Sequence, residues 1–310
     1  MTGANSQTLP TALASLQERL VGESSSRRAL LLMAPLIAFE LLVFVIPFAT
    51  LLRISVAAPS SEGVYAEGTW SLEAYSEVFG DVLAGGLLLE IVGYSFLIGT
   101  VVTIVTVVIA LFYAYAIRRS SGLVKSLLLF SVVLPLLTTL VIRTYAFTPL
   151  LSPTGTLNEL LLSVGLLSEP IQFVPNTVGA VVGQVYIVLP YAVLAIYSVL
   201  ATMDWDVVEA ARDLGASRPR AVVEVVLPQA MPGIIVASVI SFAWSVGAYA
   251  APGLLSDDLT FAIYVEQLIL GDLRYPTAAA LSVVTMVLML VGIGIIFAVL
   301  DRFGGEFDLA

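Results

Sequence analysis

Six apolar runs, at about residues 29–52, 87–117, 126–148, 177–200, 231–255 and 277–300, decide what this chain can fold into. Each reaches the roughly 20 residues that a helix needs to cross about 30 Å of hydrocarbon. With 59% hydrophobic and only 12% charged residues, the chain is far more apolar than a soluble domain, which carries about a quarter charged residues. It reads as an all-α membrane protein with about six transmembrane helices. The 87–117 run is long enough to tilt or to extend beyond the membrane.

Orientation follows from Lys and Arg. With a cytoplasmic N-terminus, Arg19, Arg27, Arg28, Arg118, Arg119, Lys125, Arg212, Arg218, Arg220 and Arg302 lie inside, against Arg53, Arg143 and Arg274 outside. Both termini are then cytoplasmic, as is the loop 201–230. The first apolar run is too long for a signal-peptide core and lacks a small-residue cleavage site, so it is expected to be a retained helix.

Within loop 201–230 the stretch Glu209 to Pro228, EAARDLGASRPRAVVEVVLP, is a charged island between apolar runs. Asp206 and Glu209 have the spacing of a capping box, which predicts a helix from near Val207. Gly215 supplies a left-handed stop, and Ser217 caps a second short helix that ends where Pro228 breaks it. The result is a compact helix-turn-helix outside the lipid. Ala210 and Ala211 keep one face small enough for close approach by a partner, and Arg212, Asp213, Arg218 and Arg220 form a polar rim. Glu209 reads equally as a cap for its own helix, and the two roles are compatible.

The chain has no Cys and no His, which excludes disulfides, Cys-ligated metals and the commonest general base and metal ligand. No metal site and no catalytic residue is expected. The net charge of −10 comes largely from acids on loops of both sides; on this topology the acids from Glu62 to Asp81, and Glu90, Glu159, Glu169, Asp257, Asp258, Glu266 and Asp272, lie outside or at the outer boundary. That face favours cationic solutes or basic patches of a binding protein. A solubilising adaptation explains the same acids.

Residues 1–28 read as a cytoplasmic tail, with an amphipathic piece near Leu13 to Leu20, and residues 304–310 as a second short tail. Between them, 29–303 form the membrane domain. Its longest external loop, 53–86, holds Trp70, Leu72, Tyr75 and Phe79 at spacings that suit one apolar face of an interfacial helix. Residues 149–176 are rich in Pro and Gly around Leu157 to Leu167, a stretch too short to span.

Several residues are candidates to line a solute path. Arg143 lies near the outer end of the third run, where a charge faces a cavity or a carboxylate, or else snorkels to headgroups; Glu90 is its candidate partner. Glu40 sits mid-run, where a carboxylate is protonated, paired, or in contact with a passing cation. Tyr145, Tyr186, Tyr191, Tyr197, Trp244 and Tyr249 supply aromatic faces that attract ammonium groups, and two or three of these are expected on the path. Pro190, Pro228, Pro232 and Pro252 are candidate kinks, and Gly233 and Gly247 allow close helix approach.

The order Glu-Ala-Ala, three residues, Gly, nine residues, an aliphatic residue, one residue, Leu-Pro resembles the EAA loop of importer permeases of the ATP-binding-cassette class. Glu209, Ala210, Ala211, Gly215, Leu227 and Pro228 match, and Val225 stands where the family has Ile. The resemblance covers most of 29–303. Arg143-Thr144-Tyr145-Ala146 followed by Gly155 and Asn158 is similar to the third helix and external loop of the polyamine-type group, while Ser256 and Asp257 depart from that group's paired Gly. The resemblance implies a type I importer permease fold with a cytoplasmic EAA coupling loop, and alternating access driven by partner ATP-binding subunits. Since no phosphate-binding Gly-x4-Gly-Lys-Ser/Thr loop is present, ATP and Mg belong to those subunits and the chain itself binds no cofactor.

The resemblance also implies a second related permease subunit, an external or periplasmic solute-binding protein and surrounding lipid as partners, with no nucleic acid. It points to spermidine or putrescine as solute. Another small solute, such as an aminophosphonate, thiamine or ferric iron, is the alternative within the class, and a secondary transporter the alternative outside it.

Overall fold

A bilayer leaves backbone groups no water to bond, so apolar runs of this length are stable there only as helices that close their own hydrogen bonds. The computed structural model describes residues 32–60 and 63–304, and contains no strand among them. The 1–28 tail, with Arg19, Arg27, Arg28 and the Leu13 to Leu20 piece, lies outside the described residues, as do Glu62 and residues 305–310. The described residues fall into two units divided after Ile54. The first is the bulk of helix α1 (Leu32–Ser55), which is α-helical except for a π turn at Leu41–Val45, directly after Glu40.

The second unit holds the remaining helices. After α2 (Glu73–Leu83) come α3 (Leu87–Arg119) and α4 (Gly122–Leu137). Three short helices follow: α5 (Leu140–Tyr145), α6 (Phe147–Leu151) and α7 (Thr156–Ser163). Next are α8 (Thr177–Thr202), α9 (Asp206–Asp213) and α10 (Arg218–Val246). The chain closes with α11 (Ala250–Leu255), α12 (Phe261–Gly271) and α13 (Tyr275–Gly304).

Five helices, α1, α3, α8, α10 and α13, are long and apolar enough to cross a membrane, and a bent pair makes a sixth passage. The bent pair is where the 126–148 run departs from a straight span. Pro135 sits in a tight 3₁₀ turn at Leu134–Leu137, Thr138 and Thr139 are extended, and the chain turns by 110° before continuing. The 231–255 run also departs from expectation. Its helix begins far upstream at Arg218 and stops at Val246, and a break at Gly247–Tyr249 sets Ala250–Leu255 apart as α11.

The core is the packing of α3, α8 and α10 on one another. Small residues make this possible: Ala110, Ala114, Ala192, Ala230 and Ala237 are fully buried beside Ile117, Ile196 and Leu200. In a bilayer, close backbone approach rather than water exclusion drives helix association. Gly233 carries that logic furthest, since a Cβ there would stand 2.8 Å from both Ala195 O and Ile196 Cα of α8. Three buried hydroxyls inside the helices, those of Ser95, Thr103 and Ser238, are satisfied locally, each donating to the carbonyl four residues earlier.

The loop helix α2 begins at Glu73, so Trp70 and Leu72 precede it and do not share its face with Tyr75 and Phe79. Ala74 and Val78 are the residues it buries, and Trp70, Leu72 and Phe79 are exposed. The four aromatic and aliphatic residues therefore do not form one stripe. Glu77 of α2 pairs with Arg274 and accepts a hydrogen bond from Thr277 Oγ1 at 3.1 Å, tying α2 to the start of α13.

Candidate functional site

Two regions of the second unit concentrate the sequence candidates. The first surrounds α9. Asp206 opens this helix rather than capping it: the side chain that meets an orphan N–H is Asp204, whose Oδ1 accepts from Asp206 N at 3.0 Å. The expected Asp206–Glu209 capping box is therefore not formed, because the turn begins two residues earlier. At the other end Gly215 has φ +96°. Its N–H donates to Arg212 O at 2.9 Å and that of Ala216 to Ala211 O at 3.0 Å, the paired bonds of a Schellman stop.

Ser217 precedes α10 without a side-chain cap; its carbonyl accepts from Ala221 N instead. Pro228 does not end that helix. Its ring would clash with the carbonyl four residues back, but a π turn at Val222–Val226 widens the helix just before it, with Leu227 N donating to Val222 O. The helix then runs on to Val246.

Glu209, Ala210, Arg212, Asp213 and Gly215 are exposed, Ala211, Leu227 and Pro228 half-buried. Beneath them the segment is anchored. Val208 is buried among Ile117, Leu200, Ala221 and Val226. Trp205 Nε1 donates to Leu200 O, Arg118 Nε donates to the same carbonyl, and the Arg118 guanidinium lies 4.9 Å above the Trp205 ring. The tip carries an unusual residue, Leu214, 91% exposed. Sequence reasoning passed over both Trp205 and Leu214; a lone leucine between Asp213 and the turn glycine was the available signal.

The second region is a cavity of about 370 Å³ where α5, α8, α10 and α11 meet. Its walls are Leu140, Gln184, Ile187, Ala243, Trp244 and the Gly247–Ala251 segment. Trp244 stacks on Tyr191, ring centroids 5.7 Å apart and planes at 27°. Tyr249 donates to Glu266 Oε1 at 2.8 Å, and this bond to a carboxylate, followed by burial, pushes the Tyr249 hydroxyl pKa up. Three of the path candidates, Tyr191, Trp244 and Tyr249, are thus brought together.

Tyr186 and Tyr197 are not among the residues of the cavity wall, and Tyr145, Glu90, Arg143 and Glu40 are not brought to it either. Tyr145 is 63% exposed and outside the cavity wall. Glu90 is exposed on α3, whose buried side carries Leu88, Ile91 and Val92, and it makes no ion pair with Arg143. The expected Glu90–Arg143 pair is corrected by this facing. Arg143 itself is half-buried, with Nε and one Nη buried and without a hydrogen-bond partner. Glu40 belongs to the separate first unit.

After α11 the departure at Ser256 acquires a structural role. Asp258 Oδ2 accepts from Ser256 Oγ at 2.7 Å and also from the hydroxyls of Tyr94 and Thr177, which joins α3, the start of α8 and the loop after α11. Burial alone would push this carboxyl up; the hydroxyls of Thr177, Tyr94 and Ser256 outweigh it and hold the pKa below its ordinary value.

Residues 106–303 match the family described as the inner membrane component of binding-protein-dependent transport systems. The chain belongs to this family. Among similar proteins, the spermidine/putrescine transport system permease protein PotB of Haemophilus influenzae is 30% identical over 82% of this chain and 88% of its own length. PotB of Escherichia coli is 30% identical over 66% of this chain and 74% of its own. The fold of this permease also resembles that of a bacterial ABC transporter involved in the import of alginate, with a TM-score of 0.64 at 20% identity, covering 92% of this chain and 99% of the other. The permease is thus an importer subunit of the ATP-binding-cassette class and a multi-pass membrane protein.

Proposed function

We propose that this permease carries polyamines, spermidine or putrescine, inward by alternating access, and that α9 with its flanking turns is where a separate ATPase engages it. The observation that carries the coupling half is the exposure of Glu209, Ala210, Arg212, Asp213 and Leu214 on a segment pinned from below by Trp205 and Val208. A surface presented on a rigid base transmits displacement; a floppy loop would absorb it. The bias of lysines and arginines supports a cytoplasmic position for this segment and for both termini, within reach of ATP-binding subunits that would hold ATP and Mg. A second related permease and an external solute-binding protein complete the pump.

The polyamine half is supported by the similarity to the PotB proteins and by the Trp244 ring in the cavity wall, stacked on Tyr191, since an ammonium group is attracted to such aromatic faces by about 0.5–2 kcal/mol. A second reading, import of an anionic solute such as an aminophosphonate, has the unpaired Arg143 guanidinium in its favour.

The test is ATP-driven uptake of labelled spermidine and putrescine into vesicles carrying the complete complex, paired with Glu209→Ala. Saturable, ATP-dependent uptake that falls about ten-fold in the variant is expected, the loss of one charge-assisted contact. Stimulation of ATPase activity by an aminophosphonate but not by polyamines would transfer the assignment to the second reading, and ATP-independent uptake would remove the coupling role.

A further inference from the structure

Gln184 is 1% exposed, and neither its Oε1 nor its Nε2 has a hydrogen-bond partner. Native structures hold few such groups, because a buried donor and acceptor left unpaired lose the bonds that water gave them. Gln184 also lines the cavity between α5, α8, α10 and α11, with its two amide atoms at the very edge of that space, almost without accessible surface.

The rest of the wall says what kind of partner. Leu140, Ile187 and Ala251 are apolar, and the Tyr249 hydroxyl is already committed to Glu266. The Trp244 ring, backed by Tyr191, presents an electron-rich face. One carbonyl acceptor, one aromatic face and an apolar lining suit an alkyl chain ending in an ammonium group. They suit an anion poorly, since the ring face repels it and Arg143 is not part of the wall.

We propose that Gln184 is the polar contact for a protonated alkyl amine in this cavity, its Oε1 accepting an ammonium N–H while Trp244 and the apolar wall hold the rest of the molecule. This rests on the polyamine reading above. Gln184 is a specificity-determining residue on this account, and its amide is retained at a cost to the stability of the empty protein.

The experiment uses the complete complex in vesicles with labelled spermidine, comparing wild type, Gln184→Leu and Gln184→Glu at saturating spermidine-loaded binding protein. Gln184→Leu is expected to lower uptake about ten-fold, to leave stimulation of ATPase activity by the loaded binding protein within about two-fold, and to raise the melting temperature, because it removes an unpaired buried amide. Gln184→Glu keeps an acceptor oxygen and is expected to import about three-fold faster than Gln184→Leu, or better. The proposal is overturned by unchanged uptake in Gln184→Leu, by a joint fall of uptake, ATPase stimulation and melting temperature, or by a Glu variant no better than the Leu variant. Absence of spermidine import by the wild type would overturn the polyamine reading and this contact with it. Unchanged uptake in Gln184→Leu beside active wild type would sink the contact alone.

Discussion

Around α9 the contacts are complete, whereas the cavity bordered by Gln184 leaves polar groups without partners. At the first, Gly215 and Ala216 close the helix end, Asp204 meets its beginning, and Trp205 fastens it to Leu200. At the second, Gln184 has no hydrogen-bond partner inside the cavity wall, and Arg143 has none on the short helix whose first residue, Leu140, forms part of that wall. A segment that passes on force needs its own bonds settled; a site that takes up a passing solute needs bonds still to be made. On the function proposed above, this difference in hydrogen-bond completeness would separate a mechanical part from a recognition part within one packed helix core.

The largest expected effect falls on the seam that both regions share. Gly233→Val would force a branched side chain against Ala195 O and Ile196 Cα, where even a Cβ finds only 2.8 Å. Overpacking of this kind costs about 1–3 kcal/mol or more, and the backbone on the far side cannot rotate away as a side chain would. Loss of folded protein in detergent, measured by size-exclusion profile and melting temperature, is expected, with both regions failing together. A well-folded Gly233→Val would show that α8 and α10 move apart easily, and the shared seam would lose its meaning.

Next comes Trp205→Ala. The ring is half-buried, bonded to Leu200 O and covered by Arg118, so its removal is expected to destabilise by about 2 kcal/mol, below the range for a fully buried tryptophan. If the base of α9 is what makes the segment rigid, ATP-driven uptake falls while the cavity is untouched. Solute binding to the vesicle-embedded complex, measured without ATP, should then match wild type. A matching loss of binding would erase the distinction between the two regions.

A smaller effect is expected from Gly215→Ala. At φ +96° a Cβ crowds the following carbonyl, a strain of about 1–2 kcal/mol, with open space around it. The strain falls on the stop of α9 alone, so a modest decrease in melting temperature should accompany a larger decrease in ATPase-coupled uptake. Equal activity with reduced stability would mean that the position of the turn is not what couples.

The two regions also differ in how far their residues announced them. Around α9 the informative positions are contiguous, and Gly215 needs its left-handed turn whatever the tertiary context, so its place was readable. What misled was the assumption that the nearest Asp–Glu pair caps the helix, when Asp204 was as near, and that Pro228 must end it, when a π turn accommodates the ring. The long apolar helices were readable from length alone. The 110° turn at Thr138 was not, because a run of Leu and Val carries no mark of where it bends, and Pro135 is tolerated in many straight helices. The cavity draws on four segments spread over more than a hundred residues of chain. Its aromatic members could be nominated, but Gln184 could not, since an amide in an apolar run gains significance only when its lack of a partner is seen.

The smallest expected effect concerns the cluster that ties down the loop after α11. Asp258 joins Tyr94, Thr177 and Ser256, and its carboxyl is held below the ordinary value of 3.8 because the hydroxyl donors outweigh burial. A lowered folded pKa means that the unfolded chain binds the proton more readily. The stabilising contribution is therefore complete above the ordinary value and is lost as pH falls through the lowered one. Melting temperature measured from pH 6 down to pH 3 (about the range in which carboxylates titrate) should show an acid limb that is shallower in Asp258→Asn than in wild type. Gly215→Ala, which strains only the turn after α9, should keep the wild-type limb with the whole curve displaced. If Asp258→Asn keeps the full slope, the carboxylate is not what ties α3 and α8 to the loop, and the three hydroxyl-bearing side chains hold it by packing alone.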